Sequence, residues 1–230
     1  TGLDAALSLE PEGQVVTIDD DTLDRYAEAF AGVIDAKSPW TYSHSNGVAS
    51  IAIALGRRLG MPERELRVLR RAALLHDIGK LGVSNLVLDK PGRLTDQEYT
   101  AMQRHTVYTA SILSRVPVFA PIAADAAAHH EKLDGRGYHQ RLTGAQLPLL
   151  ARILAVADIC DALRASRPYR EGLPDDRVLD IITREAGAGL DPDVVAALSR
   201  VLAAGEVENP LPVKAERLDA ALVEDYTQAA

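Results

Sequence analysis

All six histidines of this chain fall where a single metal site would need them: His44, His76, His105, the adjacent pair His129–His130, and His139. His76 is followed at once by Asp77, in the string Leu74-Leu75-His76-Asp77-Ile78-Gly79-Lys80. A second lone carboxylate, Asp158, interrupts the apolar run Ile153-Leu154-Ala155-Val156-Ala157-Asp158-Ile159-Cys160. A charged Asp at the buried end of an aliphatic helix has to be paired, capped or metal-bound. Imidazole and carboxylate together suit iron, manganese, zinc or nickel better than calcium or magnesium. No one of these strings decides the matter. His-Asp is common by chance, and a buried Arg is the competing partner for Asp158. His129-His130-Glu131 is the stronger signal, because adjacent imidazoles at a helix end can share one metal or reach towards two. A surface pair is the alternative there, and His44 by itself reads as a helix-surface residue.

Helical periodicity supplies the elements that must carry these side chains. A helix is expected from about 22 to 36, with Leu23, Tyr26, Ala27, Phe30 and Ile34 on one stripe. Ser38-Pro39 breaks it. The next runs over about 42–59, with Val48, Ile51, Ala52 and Leu55 inward, and Gly60 ends it. After a first-turn Pro62, the residues Leu66, Leu69, Ala72, Ala73 and Leu75 keep the period up to His76-Asp77. Residues 80–94 read as loop. Thr95-Asp96-Gln97-Glu98 matches a capping box and opens a helix that carries His105 to about 114. A helix over about 120–130 ends in the His pair, and the glycine-rich stretch 132–146 is loop. Pro148 opens a long apolar helix to about 165 that carries Asp158. Two more follow near 175–186 and 192–203, the second marked by Asp191-Pro192. No strand pattern and no internal repeat is visible. The expected fold class is all-α, a compact helical bundle of about seven to nine helices. Residues 1–20 read as an acidic lead-in, 21–204 as the domain, and 205–230 as an extension with an amphipathic helix near 214–225.

Composition bounds what such a bundle does. At 230 residues the chain fits one domain with short appendages. Its residues are 47% hydrophobic but only 4% aromatic, so the core is aliphatic and leans helical. A net charge of −8 disfavours binding to nucleic-acid polymers, which relies on basic surface. It does not exclude a small anion, because bound metal ions reverse the local potential. The lone cysteine, Cys160, excludes an intrachain disulfide and reads as a buried small hydrophobe. No apolar run reaches the roughly 18 residues of a membrane span, and no signal peptide is apparent. The expected location is cytoplasmic. The chain begins at Thr1 and not Met, so it reads as a piece of a longer protein.

The longer motifs are His44-Ser45-x-x-Val48, His76-Asp77-Ile78-Gly79-Lys80, and Leu88-x-Lys90-Pro91-Gly92-x-Leu94-Thr95. To these add His105, His129-His130-Glu131-x-x-Asp134-Gly135-x-Gly137-Tyr138, and Asp158-x-x-Asp161-Ala162-Leu163-x-x-x-Arg167-Pro168-Tyr169-Arg170. In that order they resemble the HD-GYP family of bacterial signalling enzymes, cyclic dinucleotide phosphodiesterases of the HD superfamily. The resemblance covers about residues 37–203. It implies an HD-type helical fold holding two divalent transition-metal ions, iron first and manganese second. His44, His76, Asp77 and Asp158 would hold one ion, and His105, His129 and His130 the other, with Asp77 bridging. The implied reaction is hydrolysis of cyclic di-GMP to the linear dinucleotide or GMP, through a hydroxide bridging the metals. Five neutral His, two Asp, two ions and that hydroxide leave roughly +1, which suits a phosphodiester anion. Asp77 and Lys80 take the catalytic roles. Lys80, Tyr138, Arg167 and Arg170 contact substrate, Arg167 first among the arginines. The start at Thr1 leaves room for an upstream sensory or regulatory domain, and the C-terminal amphipathic stretch suits a homodimer.

Two positions depart from the family pattern. The signature loop reads Gly137-Tyr138-His139 in place of Gly-Tyr-Pro. Losing the proline frees φ and adds a titratable group beside the substrate loop. His139 itself reads as a loop residue, with a phosphate contact as the alternative. Three-metal members carry a Glu one helical turn before the first His, where this chain has Trp40. Indole cannot ligate a hard metal, so two ions are expected. Trp40, Tyr42, Tyr138 and Tyr169 are candidates for base stacking or for the core. Two other functions compete with hydrolysis of cyclic di-GMP. One is a catalytically weak, metal- and nucleotide-binding signalling module; the other is a phosphohydrolase for another nucleotide or a mixed cyclic dinucleotide.

Overall fold

The computed structural model describes residues 18–38, 44–166 and 171–207. Among the described residues are nine α-helices and no strand. They are α1 (Asp20–Asp35), α2 (His44–Arg58), α3 (Glu63–Leu75), α4 (Asn85–Leu88), α5 (Asp96–Leu113), α6 (Ala123–Ala127), α7 (Leu149–Arg164), α8 (Asp175–Arg184) and α9 (Pro192–Ala203). Two 3-10 turns, Ile78–Gly82 and Ala120–Ile122, join them. The lead-in 1–17, Trp40, Tyr42, Tyr169 and the helix expected near 214–225 lie outside the described residues.

Local signals explain most boundaries. The Asp19 carboxylate accepts from the Thr22 amide at 2.8 Å and caps α1. At α5 the capping box is complete: Thr95 Oγ1 accepts from the Glu98 amide, and Glu98 accepts from the Thr95 amide at 2.7 Å. Asp191 caps α9 through the amides of Asp193 and Val194, with Pro192 in the first turn. Gly60 takes φ +78° after α2, a conformation that costs glycine little.

Three expectations are corrected. Residues 80–94 are not all loop, because Ser84 caps the short α4 by accepting from the Leu86 amide. The helix expected over 120–130 is shorter and broken. Ala120–Ile122 is a 3-10 turn with Pro121 in it, and α6 ends at Ala127, where the Ala128 amide donates to the Asp125 carbonyl. On α1, Leu23, Ala27, Ala31 and Ile34 are buried, whereas Tyr26 and Phe30 are 49% and 46% exposed. The small Ala27 and Ala31 let α1 sit close to α3. Phe30 is left at the flank, edge-on to Phe119.

The central element is α2, packed on α3 along one side and on α7 along the other. Its Ile51 and Leu55 meet an aliphatic core with Leu69, Leu75, Ile153 and Leu154, all fully buried. Burying each such side chain contributes roughly 1.5–3 kcal/mol before entropy is counted. Cys160 is part of this core, and burial pushes its thiol up to about 12. No helix among the described residues is long and apolar enough to cross a membrane.

Candidate metal centre

Five parts of the fold converge at the ends of α2 and α3. His44 is the first residue of α2, His76 caps the C-terminus of α3, and Asp77 starts the following 3-10 turn. His105 lies within α5, His129 and His130 follow α6, and Asp158 lies midway along α7. Donor atoms within 4.8 Å of one another form three sets: His44, His76 and Asp77; His105, His129 and His130; and His76, His129 and Asp158. All seven metal-ligand residues expected from the sequence are therefore together, and His139 joins none of the sets.

Asp77 sits between the groups. Its Oδ2 is 3.3 Å from His76 Nε2 and 3.8 Å from His44 Nε2. Its Oδ1 is 3.6 Å from His105 Nε2 and 3.9 Å from His129 Nε2. Asp158 Oδ1 approaches His44 Nε2 at 3.2 Å and His76 Nε2 at 4.0 Å. Donors bound at about 2.0–2.2 Å to one ion lie roughly 3–3.5 Å from each other, so these separations suit a divalent ion. His76 Nε2 and Asp77 Oδ1 are also buried with no hydrogen-bond partner. Orphaned polar atoms of this kind are costly, and a metal satisfies both.

The backbone sets which nitrogen faces the centre. Nδ1 of His76, His105 and His129 lies 2.7 Å from the carbonyls of Ala73, Met102 and Ala126 respectively. A carbonyl only accepts, so Nδ1 carries the proton and Nε2 is the free donor atom. His44 differs, since its Nδ1 is 2.7 Å from Oδ2 of Asp161.

The protonation states follow from burial and charge. Burial pushes His105 down to about 3 and His130 to about 4, and it holds His129 well below the usual imidazole range. Burial would also lower His44, but the carboxylates of Asp158 and Asp161 outweigh it and raise that imidazole to about 10. His76 is raised as well: the adjacent Asp77 charge overcomes burial. Burial opposes ionisation of Asp77 and Asp158. Lys80 and His76 nevertheless hold the first well below the carboxylate range, and His44 holds the second there. Three neutral imidazoles and two carboxylates thus already have the form a cation needs.

Lys80 donates to Asp77 Oδ2 at 2.6 Å. The half-buried Tyr138 ring stands 4.9 Å from that of His130, and desolvation raises its phenol pKa. Tyr138, Gln103, Arg136 and Arg141 line a cavity of about 360 Å³ beside the centre. A larger groove of about 780 Å³ between α2 and α3, lined by Arg57, Arg67 and Arg70, shares no residue with the histidine cluster. The smaller one adjoins the cluster through Tyr138, whose ring faces that of His130. Arg167 and Arg170 fall outside the described residues.

Four supporting residues were missed as site residues by the sequence reading. Asp161 stands three positions after Asp158, on the same face of α7. Glu131 directly follows the His pair, and its carboxylate accepts the amides of Gln140, Arg141 and Leu142 at 2.6, 3.2 and 2.9 Å. It thereby shapes the loop around Tyr138. Asp35 accepts from the Ser45 amide and hydroxyl at the start of α2. Thr109 donates to the His76 carbonyl at 2.8 Å and accepts from the Gly79 amide at 3.0 Å, tying α5 to the His-Asp turn. The first two were visible as motif letters. Asp35 and Thr109 carry no sequence signal.

The family model described as HD domain matches residues 28–194. The chain belongs to the HD-domain family. Its motifs are of the HD-GYP type. It is 45% identical over 196 residues to 3'3'-cGAMP-specific phosphodiesterase 3 of Vibrio cholerae, covering 85% of this chain and 43% of that protein. It is 38% identical to a cyclic di-GMP phosphodiesterase response regulator of Xanthomonas campestris, covering 85% of this chain and 52% of that one. The chain spans about half the length of these curated relatives. Among solved structures, a cyclic GMP-AMP specific phosphodiesterase of V. cholerae matches with a TM-score of 0.57 and 39% identity, over 88% of this chain and 46% of that one. An HD-GYP protein of Bdellovibrio bacteriovorus shares the fold at TM-score 0.58 and 18% identity, over 80% of this chain and 62% of that one.

Proposed function

We propose that this chain hydrolyses cyclic dinucleotides at a centre of two divalent transition-metal ions. The observation that carries the reading is Asp77, whose two oxygens face different groups of imidazoles, as a carboxylate shared by two ions would. His44, His76, Asp77 and Asp158 hold one ion. Asp77, His105, His129 and His130 hold the other. Iron is the first choice and manganese the second, since both accept this mixed donor set. Such a pair, when bound, activates water and neutralises charge on a phosphodiester.

The chain's own residues bind and orient the substrate. The Lys80 ammonium takes a non-bridging phosphate oxygen as a point charge. Tyr138 offers a ring for a base to stack on, beside the cavity with Gln103 and Arg141. Arg167 and Arg170, carried over by motif, add bidentate contacts to phosphate or a guanine edge, Arg167 first. Residues 21–204 act as the catalytic unit in the cytoplasm, with an upstream regulatory domain and a homodimer contact from 205–230.

Cyclic di-GMP is the substrate read from the motifs. The 45% identity to a 3'3'-cGAMP-specific enzyme favours the mixed dinucleotide as a second reading. Turnover of both by anaerobically purified protein loaded with Fe(II) or Mn(II), with metal counted in the same sample, tests the proposal. The expected result is two ions per chain and a linear or mononucleotide product, abolished by His76→Ala or Asp77→Ala. Full activity in metal-free protein overturns it.

A further inference from the structure

The two halves of the centre are unlike. Around His44 stand Asp158 Oδ1 at 3.2 Å and Oδ2 of Asp77 at 3.8 Å, whereas Oδ1 of Asp77 lies 3.6 Å from His105 and 3.9 Å from His129. His44 is also the imidazole whose Nδ1 meets a carboxylate, that of Asp161 at 2.7 Å, where His76, His105 and His129 meet backbone carbonyls. A carboxylate there orients the ring and makes Nε2 a stronger donor than a carbonyl does.

The contact requires a bare backbone at Gly47, one turn into α2. A Cβ built on Gly47 would overlap Oδ1 of Asp161 and lie 2.7 Å from its Cγ. Gly47 is the space through which Asp161, 5% exposed, reaches His44 from α7. A helix-interior glycine costs stability relative to alanine, so its presence here needs a reason of this kind.

We infer that Asp161 is a positioning residue that makes the two metal positions unequal: the His44–Asp158 position fills first, and Gly47 is required for that order. The inference rests on the two-metal reading above.

The test is titration of the metal-free 230-residue chain with Mn(II), free ion being followed by electron paramagnetic resonance. Wild type should bind in two phases. Asp161→Asn, which keeps the shape and removes the charge, should weaken the first phase about 10- to 100-fold and leave the second within about twofold. Gly47→Ala should do the same with Asp161 still present. The double variant should be no weaker than the worse single one, because both act through one contact. A merely structural Asp161 would move both phases together, or neither in Asp161→Asn, and either result overturns the inference. If Asp161→Asn fails to fold, Gly47→Ala decides alone. If wild type binds no Mn(II), the two-metal reading fails instead.

Discussion

Gly79 tests how tightly the fold fixes the distance between the His-Asp turn and α5. Its φ is not positive, so alanine can adopt its backbone conformation, and the cost of Gly79→Ala is one of space. A Cβ there would overlap the carbonyl oxygen of His105 and lie 2.5 Å from the amide nitrogen of Thr109, where ordinary contact begins at 3.4 Å. These neighbours are backbone and cannot rotate away. The helix α5 therefore has to withdraw by about 1 Å, more than a packed interior absorbs without strain. Overpacking costs about 1–3 kcal/mol. The movement also strains the Thr109 bonds to Gly79 and His76, at about 0.5–1.5 kcal/mol each. Reduced unfolded-state entropy returns about 0.4–1 kcal/mol. The net expectation is a loss of about 1–5 kcal/mol.

Urea denaturation of the metal-free chain measures that loss, and metal counting measures its consequence. Since His105 rides on α5, its separation from Asp77 Oδ1 grows from 3.6 Å, and the ion held by His105, His129 and His130 should be lost. Gly32→Ala is the control. It lies on the exposed face of α1 with nothing within 4 Å of a built Cβ, and should be neutral or stabilising by up to about 1 kcal/mol. A Gly79→Ala variant within about 0.5 kcal/mol of wild type would refute the packing argument. Full destabilisation with both ions retained would refute the link to the site.

Three further outcomes follow from the same geometry. Metal loading at pH 7 should release about one proton from His44, held at about 10 before the ion arrives, with a further share from the raised His76; calorimetry in two buffers of different ionisation enthalpy reads it, and zero release contradicts the assignment. His105 and His130, depressed to about 3 and 4, stay neutral when folded but titrate near 6.5 when unfolded, so the metal-free chain should lose stability as pH falls below about 6.5 towards 4; replacing His130 with Asn should flatten that loss in urea melts. Glu131→Gln should cost about 1–3 kcal/mol, because one neutral amide oxygen cannot replace a carboxylate that accepts three amides; it should raise KM through the Tyr138 loop while metal content holds, and a lowered metal content with unchanged KM would reverse that assignment.

Much of this was legible in the chain because the signals are local. A capping box needs four residues, and Thr95–Glu98 has them; Asp191-Pro192 marks the start of α9 for the same reason. The seven residues that come together at the candidate metal centre were legible as motif letters at characteristic intervals. What escaped depends on contacts far along the chain. Tyr26 and Phe30 match the helical stripe of α1, but the closeness of α3 leaves them outside. Residues 120–130 keep a helical pattern in sequence, but a 3-10 turn takes Ala120–Ile122 and the helix after it ends at Ala127. Asp161 was in view as a letter, but its role depends on a space opened by Gly47, which lies 114 positions away and on another helix.

The ends of the helices explain why His44 needs a carboxylate partner that other imidazoles do without. His76 and His129 follow the C-termini of α3 and α6, where the last carbonyls of a helix have no intrahelical partner. Their Nδ1 atoms take such carbonyls at no cost to the helix, and the negative ends of the helix dipoles point towards the site of a cation. His44 starts α2, where a helix presents unpaired N–H groups and the positive end of its dipole. That end repels a cation and offers an imidazole N–H nothing to donate to. Carboxylates supply both deficits: Asp35 accepts from Ser45 at the first turn, and Asp161 accepts from His44. The acidic residues around α2 therefore reverse the sign that its N-terminus would otherwise give to this side of the centre.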